Sequence, residues 1–455
     1  MNHEDNYWIR RLSSGGVSRR RFLGRAALLG VGAAALPLVG CGDDNSSKTP
    51  TGGSNTGLSG NTDLSPLKSM LKLPTDSKSL GTGLSLKAGS VLALSGSGSF
   101  YGGVMSKGIN LATAQIKALG GPDISMTYKD HKSGDAQAGV NAARELGIAN
   151  IPMCLSSYGA DIGSMLPGIA QYKMLTLDGG GGASPAFQGK PYFYGTRAIT
   201  PDDTFPGVYE YVSTKMPDVK SVQYIIWDLG AATLAPSEAN LKKSLAKYNL
   251  NYLGMETAPI GTTDYSTLLA RVKQKGADLL QLGIWGLDPG YFMKQFVTSG
   301  IKSKIMGSEF TPDAAKVAGS AYDEYTFCFD FFDANNPTND WGKSFADAYK
   351  SANGAIPGFY EANYYEDTFA LWELVRRVIA KGGNVKSGDD LNKALLDNPN
   401  FPSVYGGSGS TPGSTGIDPS THTVKKRPMG IFTTKDQKTT MVASFDIGGA
   451  DYKLV

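Results

Sequence analysis

The sequence is poor in cysteine and histidine. It has three of each among 455 residues, and Cys41, Cys154 and Cys328 are spaced too widely for a disulfide framework. No CxxC, HExxH or calcium-loop pattern occurs, and neither His131 nor His422 lies near a serine in a nucleophile-elbow pattern. We therefore expect no metal ion, no cofactor and no enzymatic activity. Cys154 lies in an apolar run, so we interpret it as a small buried residue.

A surplus of positive charge is also absent once the N-terminal segment is set aside. Residues 1–40 carry six arginines against Glu4 and Asp5, so the net charge of +3 for the whole chain leaves −1 for residues 41–455. No basic stripe remains, and we expect no nucleic acid as a partner. The stretch GSGSFYG at 96–102 has the spacing GxGxxxG, which misses the dinucleotide-binding fingerprint.

The N-terminal segment has no apolar run long enough to span a bilayer. The run of eleven residues at 26–36 falls short of the roughly 20 that a spanning helix needs. It follows SRRRFLG at 18–24, which resembles a twin-arginine export signal, and precedes LVGC at 38–41, which resembles a bacterial lipobox. We predict that 1–40 is a twin-arginine and lipoprotein signal peptide. An acylated Cys41 would then anchor the protein to the extracytoplasmic face of a membrane, periplasmic or outer, without spanning it.

Residues 41–85 are predicted to be a flexible tether. Gly, Ser, Thr and Asn dominate 42–64, which offers little apolar surface to offset the entropy of ordering. The stretch SPLKSMLKLP at 65–74 could form a turn of helix. The folded body is expected to begin near Leu86, and its roughly 370 residues are too many for one core and enough for two lobes.

Short apolar runs alternate with helical patterns through this body. The runs are SVLALSG, ISMTYKD, NIPMCLSS, YKMLTLDG, VQYIIWD, ADLLQLGIW and SKIMGSE. Runs without polar alternation suit strands that are covered on both faces, and repeated strand–helix–strand units predict parallel sheets with right-handed crossovers. The fold class is therefore predicted to be α/β, with two doubly wound parallel-sheet lobes.

Polar, aromatic and glycine residues follow the ends of these strands. In open α/β sheets, ligands bind outside the carboxyl ends of the strands. The residues at these ends are Tyr101, Ser156, Ser157, Tyr158, the four glycines at 179–182, Asp228, Trp285 and Glu309. Their combination of hydroxyls, bare backbone, rings and carboxylates indicates a binding site for a small solute.

The order and spacing of several stretches resemble the leucine/isoleucine/valine-binding proteins, the periplasmic receptors of branched-chain amino acid ABC transporters. The resemblance covers about 87–445 and includes SGSGSFYGGVMSKGINLATAQIKALGG, CLSSYGADIGSMLPGIAQYKMLTLDGGGGASP and YFYGTRAITPDDT. It implies the type I periplasmic-binding-protein fold, with two lobes that three crossovers join and that close over a solute. Lobe one would take 87–204 and 330–427, and lobe two 205–329 and 428–455.

The resemblance places the carboxylate of an amino acid on lobe one. The implied partners are the hydroxyls and backbone N–H groups of Ser156, Ser157, Gly181, Gly182 and Ala183. Glycine lets an anion approach backbone N–H groups closely. The alanine stands where the family often has a threonine hydroxyl, so one donor is missing.

The other ligand positions lie over the ligand, at a lobe crossover and on the wall across the cleft. The resemblance puts Tyr101 over the ligand, Glu309 on its ammonium group, Asp202 at a lobe crossover and Trp285 on the lobe-two wall. Trp227 could join an aromatic wall, but we interpret it as core.

The sequence therefore predicts a monomeric solute-binding lipoprotein of an ABC importer. Its expected partners are an amino acid or a similar small molecule, an ABC permease and, through lipid, a membrane. The alternative is a ligand-sensing receptor component for an amide, an organic acid or an aromatic compound, with an enzyme as a distant third. The Gly/Ser/Thr-rich segment 406–428 is predicted to be a solvated loop, or else a surface that the permease touches.

Overall fold

The computed structural model describes residues 64–96, 98–157, 159–197, 201–323 and 325–455. The side chains of 66, 159–161, 185, 201–203 and 232–233 lie outside this description. The predicted signal peptide, Cys41 and the first part of the predicted tether also lie outside it.

The described chain forms two eight-stranded sheets with helices between their strands. The strands are β1 (Ser85–Leu92), β2 (Asp123–Asp130), β3 (Met153–Ser156), β4 (Leu175–Asp178), β5 (Phe193–Gly195), β6 (Ser221–Trp227), β7 (Asn251–Ala258), β8 (Leu279–Gly283), β9 (Lys304–Gly307), β10 (Thr326–Asp330), β11 (Asn400–Ser408), β12 (Thr411–Asp418), β13 (Thr423–Lys426), β14 (Pro428–Lys435), β15 (Lys438–Asp446) and β16 (Ala450–Leu454). The helices are α1 (Ser65–Met70), α2 (Ser77–Leu80), α3 (Ser99–Ala118), α4 (Ala136–Ile148), α5 (Gly159–Gln171), α6 (Pro201–Lys215), α7 (Ala231–Lys247), α8 (Ser266–Lys275), α9 (Asp288–Phe296), α10 (Pro312–Ala318), α11 (Asp340–Asn353), α12 (Phe359–Ala380) and α13 (Gly388–Asp397).

The first sheet, which defines lobe one, has the strand order β11-β12-β13-β5-β4-β3-β1-β2. Strands β1 to β5 pair in parallel. Every residue of β3 and β4 is buried, as expected for parallel strands that helices cover on both faces. The apolar runs of the sequence therefore become the centre of this sheet.

The second sheet, which defines lobe two, has the order β16-β15-β14-β10-β9-β8-β6-β7. Its strands β6 to β10 are parallel, and β14 to β16 extend the sheet in antiparallel order. Two α/β lobes and the chain crossings between them confirm the predicted fold class. The exact lobe boundaries given above remain predictions.

The predicted loop at 406–428 is wrong. This segment forms the end of β11, then β12 and β13. These three strands pair antiparallel with one another, and β13 joins the sheet in parallel with β5. Its small residues permit close backbone packing, since a Cβ on Gly413 would lie 1.6 Å from the carbonyl oxygen of Tyr405. Glycine and serine, typical of solvated loops, here allow a bulged hairpin to form.

The structure also differs from the prediction at the end of the tether. Residues 65–70 and 77–80 are helical, and Leu67, Met70 and Leu80 are buried in the core of the fold. These three apolar side chains give the segment the surface that the preceding Gly/Ser-rich stretch lacks. The folded body therefore includes residues about twenty positions before Leu86.

The two remaining cysteines are buried. Cys154 lies in β3 and Cys328 in β10, and neither forms a disulfide. Burial raises the pKa of both thiols, which keeps them protonated and unreactive. The prediction that Cys154 is a small buried residue is confirmed. Within the described residues, no helix combines the length and the apolar character needed to cross a membrane.

Three crossovers carry the chain between the lobes. The first leads from β5 to α6, the second from β10 to α11, and the third is the single residue Arg427 between β13 and β14. A charged side chain stands on each, namely Arg197 after β5, Asp330 at the end of β10, and Arg427 itself. All three are at most 2% exposed.

These three charges form one buried ion cluster, which we call the crossover cluster. The Nε of Arg197 pairs with Oδ2 of Asp330, and the Nε of Arg427 lies 3.4 Å from Oδ1 of the same carboxylate. The Nη1 of Arg427 also lies 3.2 Å from Oε1 of Glu366 on α12. Asp330 therefore ties the other two crossovers together through a carboxylate that both arginines share.

Replacing Asp330 with Asn should destabilise the protein by about 3–5 kcal/mol, because it leaves two buried guanidinium groups without their shared anion. Chemical denaturation would measure the free energy of unfolding. Asp389→Asn is the control, since Asp389 pairs with Lys173 at a surface where both side chains are about half exposed, and exposed pairs contribute at most about 1 kcal/mol. Equal losses in the two variants would contradict a structural role for the crossover cluster.

Candidate functional site

Glu309 is the centre of the candidate site. It follows β9 by two residues and is fully buried. Its Oε1 accepts hydrogen bonds from the Tyr101 hydroxyl at 2.8 Å and from the Gly286 N–H at 2.5 Å, and its Oε2 accepts one from the Tyr360 hydroxyl at 2.9 Å. The carboxylate is thus held by three donors.

These bonds join the two lobes. Tyr101 lies on α3 and Tyr360 at the start of α12, both in lobe one, whereas Glu309 and Gly286 belong to lobe two. The two tyrosine rings meet edge to face with centroids 4.9 Å apart. Two sequence-predicted site residues, Tyr101 and Glu309, are therefore in direct contact across the lobes.

Burial raises the pKa of Glu309 above its ordinary value. The Gly286 N–H, the two tyrosine hydroxyls and the charge of Arg197 oppose this shift, because each favours the ionised carboxylate. A partner with a positive charge would add to the same effect. The position suits recognition of an ammonium group.

Arg197 is a site residue that the sequence analysis missed. Its guanidinium lies over three rings, at 4.1 Å from the centroid of Phe329, 4.7 Å from Tyr360 and 4.9 Å from Phe359. Its Nη1 also donates to the carbonyl oxygen of Gly179 at 3.3 Å. The only sequence signal was a lone arginine two residues after an apolar strand, and its partner Asp330 lies 133 residues further on.

The glycine-rich loop after β4 surrounds the side chain of Asp178. The Oδ1 of this buried carboxylate accepts hydrogen bonds from the N–H groups of Gly180, Gly181 and Gly182, at 2.9, 2.8 and 2.7 Å. Its Oδ2 accepts the Ser156 hydroxyl at 2.6 Å. Burial raises the pKa of Asp178, and these four bonds oppose the shift.

Close packing explains why glycine occupies this loop. A Cβ on Gly179 would lie 1.9 Å from Oδ1 of Asn363, and one on Gly182 would lie 2.8 Å from the Cβ of Asp178. The N–H groups of Gly181 and Gly182, predicted to meet a solute carboxylate, here donate to the protein's own carboxylate. Their role towards a solute therefore stays a prediction, and Asp178 would have to release them.

The other predicted lobe-one residues lie beside this loop. Ser157 is fully buried, and its N–H donates to the carbonyl oxygen of Val91 at 3.2 Å. Ala183 is also buried, and its backbone lies close to Gly195. A Cβ on Gly195 would lie 2.3 Å from the backbone nitrogen of Ala183. The serines and glycines are thus brought together at one edge of the first sheet.

Trp285 lies beside Gly286 on the lobe-two wall and is half-buried. Its ring meets that of Trp227 edge to face, with centroids 5.1 Å apart. Trp227 also donates from Nε1 to Asp288 at 2.7 Å and packs against the core. Trp227 is partly buried and contacts both the core and Trp285, so its assignment to the core stays a prediction.

Two predicted features cannot be placed. Asp202 lies on α6, but its side chain is outside the described part of the chain, and so is Tyr158. Among the residues described, no group of His, Cys, Asp and Glu side chains could hold a metal ion. A surface depression that includes Leu71, Trp341 and Phe401 in its lining holds none of the predicted ligand residues.

Residues 85–438 match the sequence pattern of the family described as periplasmic binding protein. A Leu/Ile/Val-binding protein homolog 2 from Brucella abortus (strain 2308) is 24% identical over 331 residues, which cover 69% of this chain and 82% of that protein.

Solved structures of solute-binding proteins share the fold. The branched-chain amino acid transporter substrate-binding protein LivJ from Streptococcus pneumoniae, in complex with isoleucine, aligns with a TM-score of 0.66 at 19% identity, over 80% of this chain and 99% of its own. An ABC transporter solute-binding protein from R. palustris, in complex with benzoate, also gives 0.66, at 16% identity over 82% and 98%. These identities establish the fold and leave the solute open.

Glu309→Gln should change how the stability of the solute-free protein depends on pH. The pKa of Glu309 is raised above 4.5 in the folded state, so its ionised form opposes folding and protonation relieves that penalty. We expect the Tm of the variant relative to wild type to be highest near pH 8 and to fall as the pH approaches 4.5. Thermal denaturation across this range measures the difference.

Glu145→Gln serves as the control with the opposite sign. The hydrogen bond and charge of Lys129 lower the pKa of Glu145, so that its stabilising contribution is present at neutral pH and is lost on acidification. The Glu145→Gln variant should have a lower Tm than wild type near pH 7 and the same Tm as wild type in acid. A Glu309→Gln difference that grows on acidification would show that the carboxylate is not destabilised by burial.

Proposed function

Because the chain belongs to the periplasmic binding protein family, we propose that it is an extracytoplasmic receptor that binds a small solute between its lobes and delivers it to an ABC permease. The observation that supports this most directly is the bridge between Glu309 of lobe two and Tyr101 and Tyr360 of lobe one. A polar contact that both lobes supply is what a closing receptor needs. The closed form would be the one that the permease recognises.

The proposed solute is an amino acid or a related small molecule. Glu309 offers a buried carboxylate to an ammonium group, and Tyr101 and Trp285 offer rings to the rest of the solute. A neighbour in the same fold was solved with isoleucine, which supports this class. The tyrosine hydroxyls that now bind Glu309 would move aside when the solute enters.

The acidic end of the solute would lie on lobe one. Ser156, Ser157 and the loop at 181–183 remain the proposed contacts, and a solute carboxylate would compete with Asp178 for their donors. Arg197 supports this orientation, because its buried charge lies between the loop and Tyr360. Charge-assisted hydrogen bonds of this kind contribute about 1.5–3 kcal/mol each.

An aromatic acid is the second candidate class. The rings of Tyr101 and Tyr360 meet beside Glu309, and a neighbour in the same fold holds benzoate. Such a solute has no ammonium group, so it would gain nothing from an ionised Glu309. The two classes therefore respond differently to a change at this residue.

Glu309→Gln should weaken the binding of an amino acid by at least about 30-fold, because a buried charged pair loses about 2–5 kcal/mol when one partner is removed. Binding of an aromatic acid should be unchanged or tighter. A thermal-shift screen over amino acids, amides, short acids and aromatic acids would find the solute, since a solute at 100 times its Kd adds about 2.7 kcal/mol of stability. Calorimetry would then give the Kd for both proteins.

Glu145→Gln is the matched control, because Glu145 is a half-exposed glutamate on α4 that pairs with Lys129 and is not among the predicted site residues. Its affinity for the solute should equal that of wild type. An unchanged Kd for an amino acid in Glu309→Gln would show that this carboxylate does not meet the ammonium group. The absence of any binder in the screen would refute the receptor function.

We also propose that Cys41 carries the lipid anchor. Acyl chains hold a protein at a membrane by burying CH₂ groups, at about 0.8 kcal/mol each. In a bacterial expression host, Cys41→Ser should move the protein from the membrane fraction to the soluble fraction without changing its affinity for the solute. Membrane association that persists in the variant would contradict the anchor.

A further inference from the structure

One face of α12 connects the two halves of the candidate site. Tyr360, Asn363 and Tyr364 are spaced i, i+3 and i+4, so they lie on the same side of the helix. The Tyr360 hydroxyl donates to Glu309 in lobe two, and the Tyr364 hydroxyl donates to the carbonyl oxygen of Ser156 at 2.5 Å. Asn363 therefore lies between a residue that reaches the proposed ammonium site and one that reaches the proposed carboxylate site.

The Asn363 amide packs against the glycine-rich loop. A Cβ on Gly179 would lie 1.9 Å from its Oδ1 and 3.0 Å from the Tyr364 ring. Gly179 in turn accepts the hydrogen bond from Arg197. The amide thus lies where β4 ends, beside the loop and the buried arginine.

Neither polar atom of this amide has a hydrogen-bond partner among the described residues, although Asn363 is 0% exposed. The neighbouring polar groups on the same helix face are all paired, including Asp367, which accepts the Thr196 hydroxyl at 2.8 Å. Buried polar groups in folded proteins almost always have partners, because an unpaired one opposes folding. A leucine of similar size would avoid this cost, and the position of Asn363 beside the proposed site makes its unpaired amide available to a solute.

We propose that Asn363 is a specificity-determining residue that pairs with a carboxamide on the solute. An amide offers one acceptor and two donors, and another amide complements both at once. This inference rests on the proposed function, since it assigns a solute class to the same site. A solute with an aliphatic group at this place would leave the Asn363 amide unpaired, and sites with buried polar groups reject such analogues strongly.

The test uses matched pairs of probes and two variants of the chain. The probes are L-asparagine with L-leucine, L-glutamine with L-methionine, and benzamide with benzoate. The variants are Asn363→Leu and, as control, Gln223→Leu. Gln223 is a second fully buried amide with both polar atoms unpaired among the described residues, but it lies in β6, away from the site.

We expect wild type to bind the amide member of at least one pair ten times more tightly than its partner. Asn363→Leu should lose at least tenfold in affinity for that amide and keep its affinity for the partner, whereas Gln223→Leu should change neither. Calorimetry gives these Kd values. In the absence of solute, the Tm of Asn363→Leu should be equal to or above that of wild type, since a purely structural amide would lower it when removed.

Three results would overturn the inference. Wild type could prefer the amide-free partner in every pair, Asn363→Leu could bind the amide as tightly as wild type does, or its Tm could fall while affinity is kept. If Asn363→Leu does not fold, Asn363→Ala gives the same readouts without added bulk. Binding of some solute with no effect of Asn363 refutes only this inference, whereas failure of wild type to bind any member of a broad panel refutes the receptor function as well.

Discussion

The buried carboxylate of Asp330 is the constraint on which the arrangement of the lobes depends. It is shared by Arg197 and Arg427, so one charged side chain from each crossover meets at a single point. A buried ion pair is costly to form and more costly to break, so such a group is best understood as a device for fixing geometry. Glu366 on α12 extends the same cluster into lobe one.

The cluster continues into the candidate site through contacts between neighbouring side chains. Arg197 lies over the ring of Tyr360, and Tyr360 donates to Glu309, which Tyr101 also binds. A change of charge at Glu309 would therefore be felt by a side chain that is itself part of the crossover cluster. The same residues can thus support both the joint between the lobes and the recognition of a solute.

Much of the fold could be predicted because continuous apolar runs such as MCLS in β3 have one stable arrangement, a strand covered on both faces. The strands β11 to β13 escaped prediction, since their Gly, Ser and Thr residues are equally typical of loops. Tyr101 and Glu309 could be found from positions at strand ends. Arg197, Asp178 and Asn363 could not, because their importance lies in partners or missing partners that only the folded chain brings near.

The third crossover limits how the lobes can move. It is one residue long, so two virtual bonds of about 3.8 Å limit how far the Cα atoms of Lys426 and Pro428 can separate. Proline has a fixed φ and restricts the residue before it, which leaves Arg427 little torsional freedom. The crossover therefore restricts sliding of one lobe past the other more than it restricts rotation about this point.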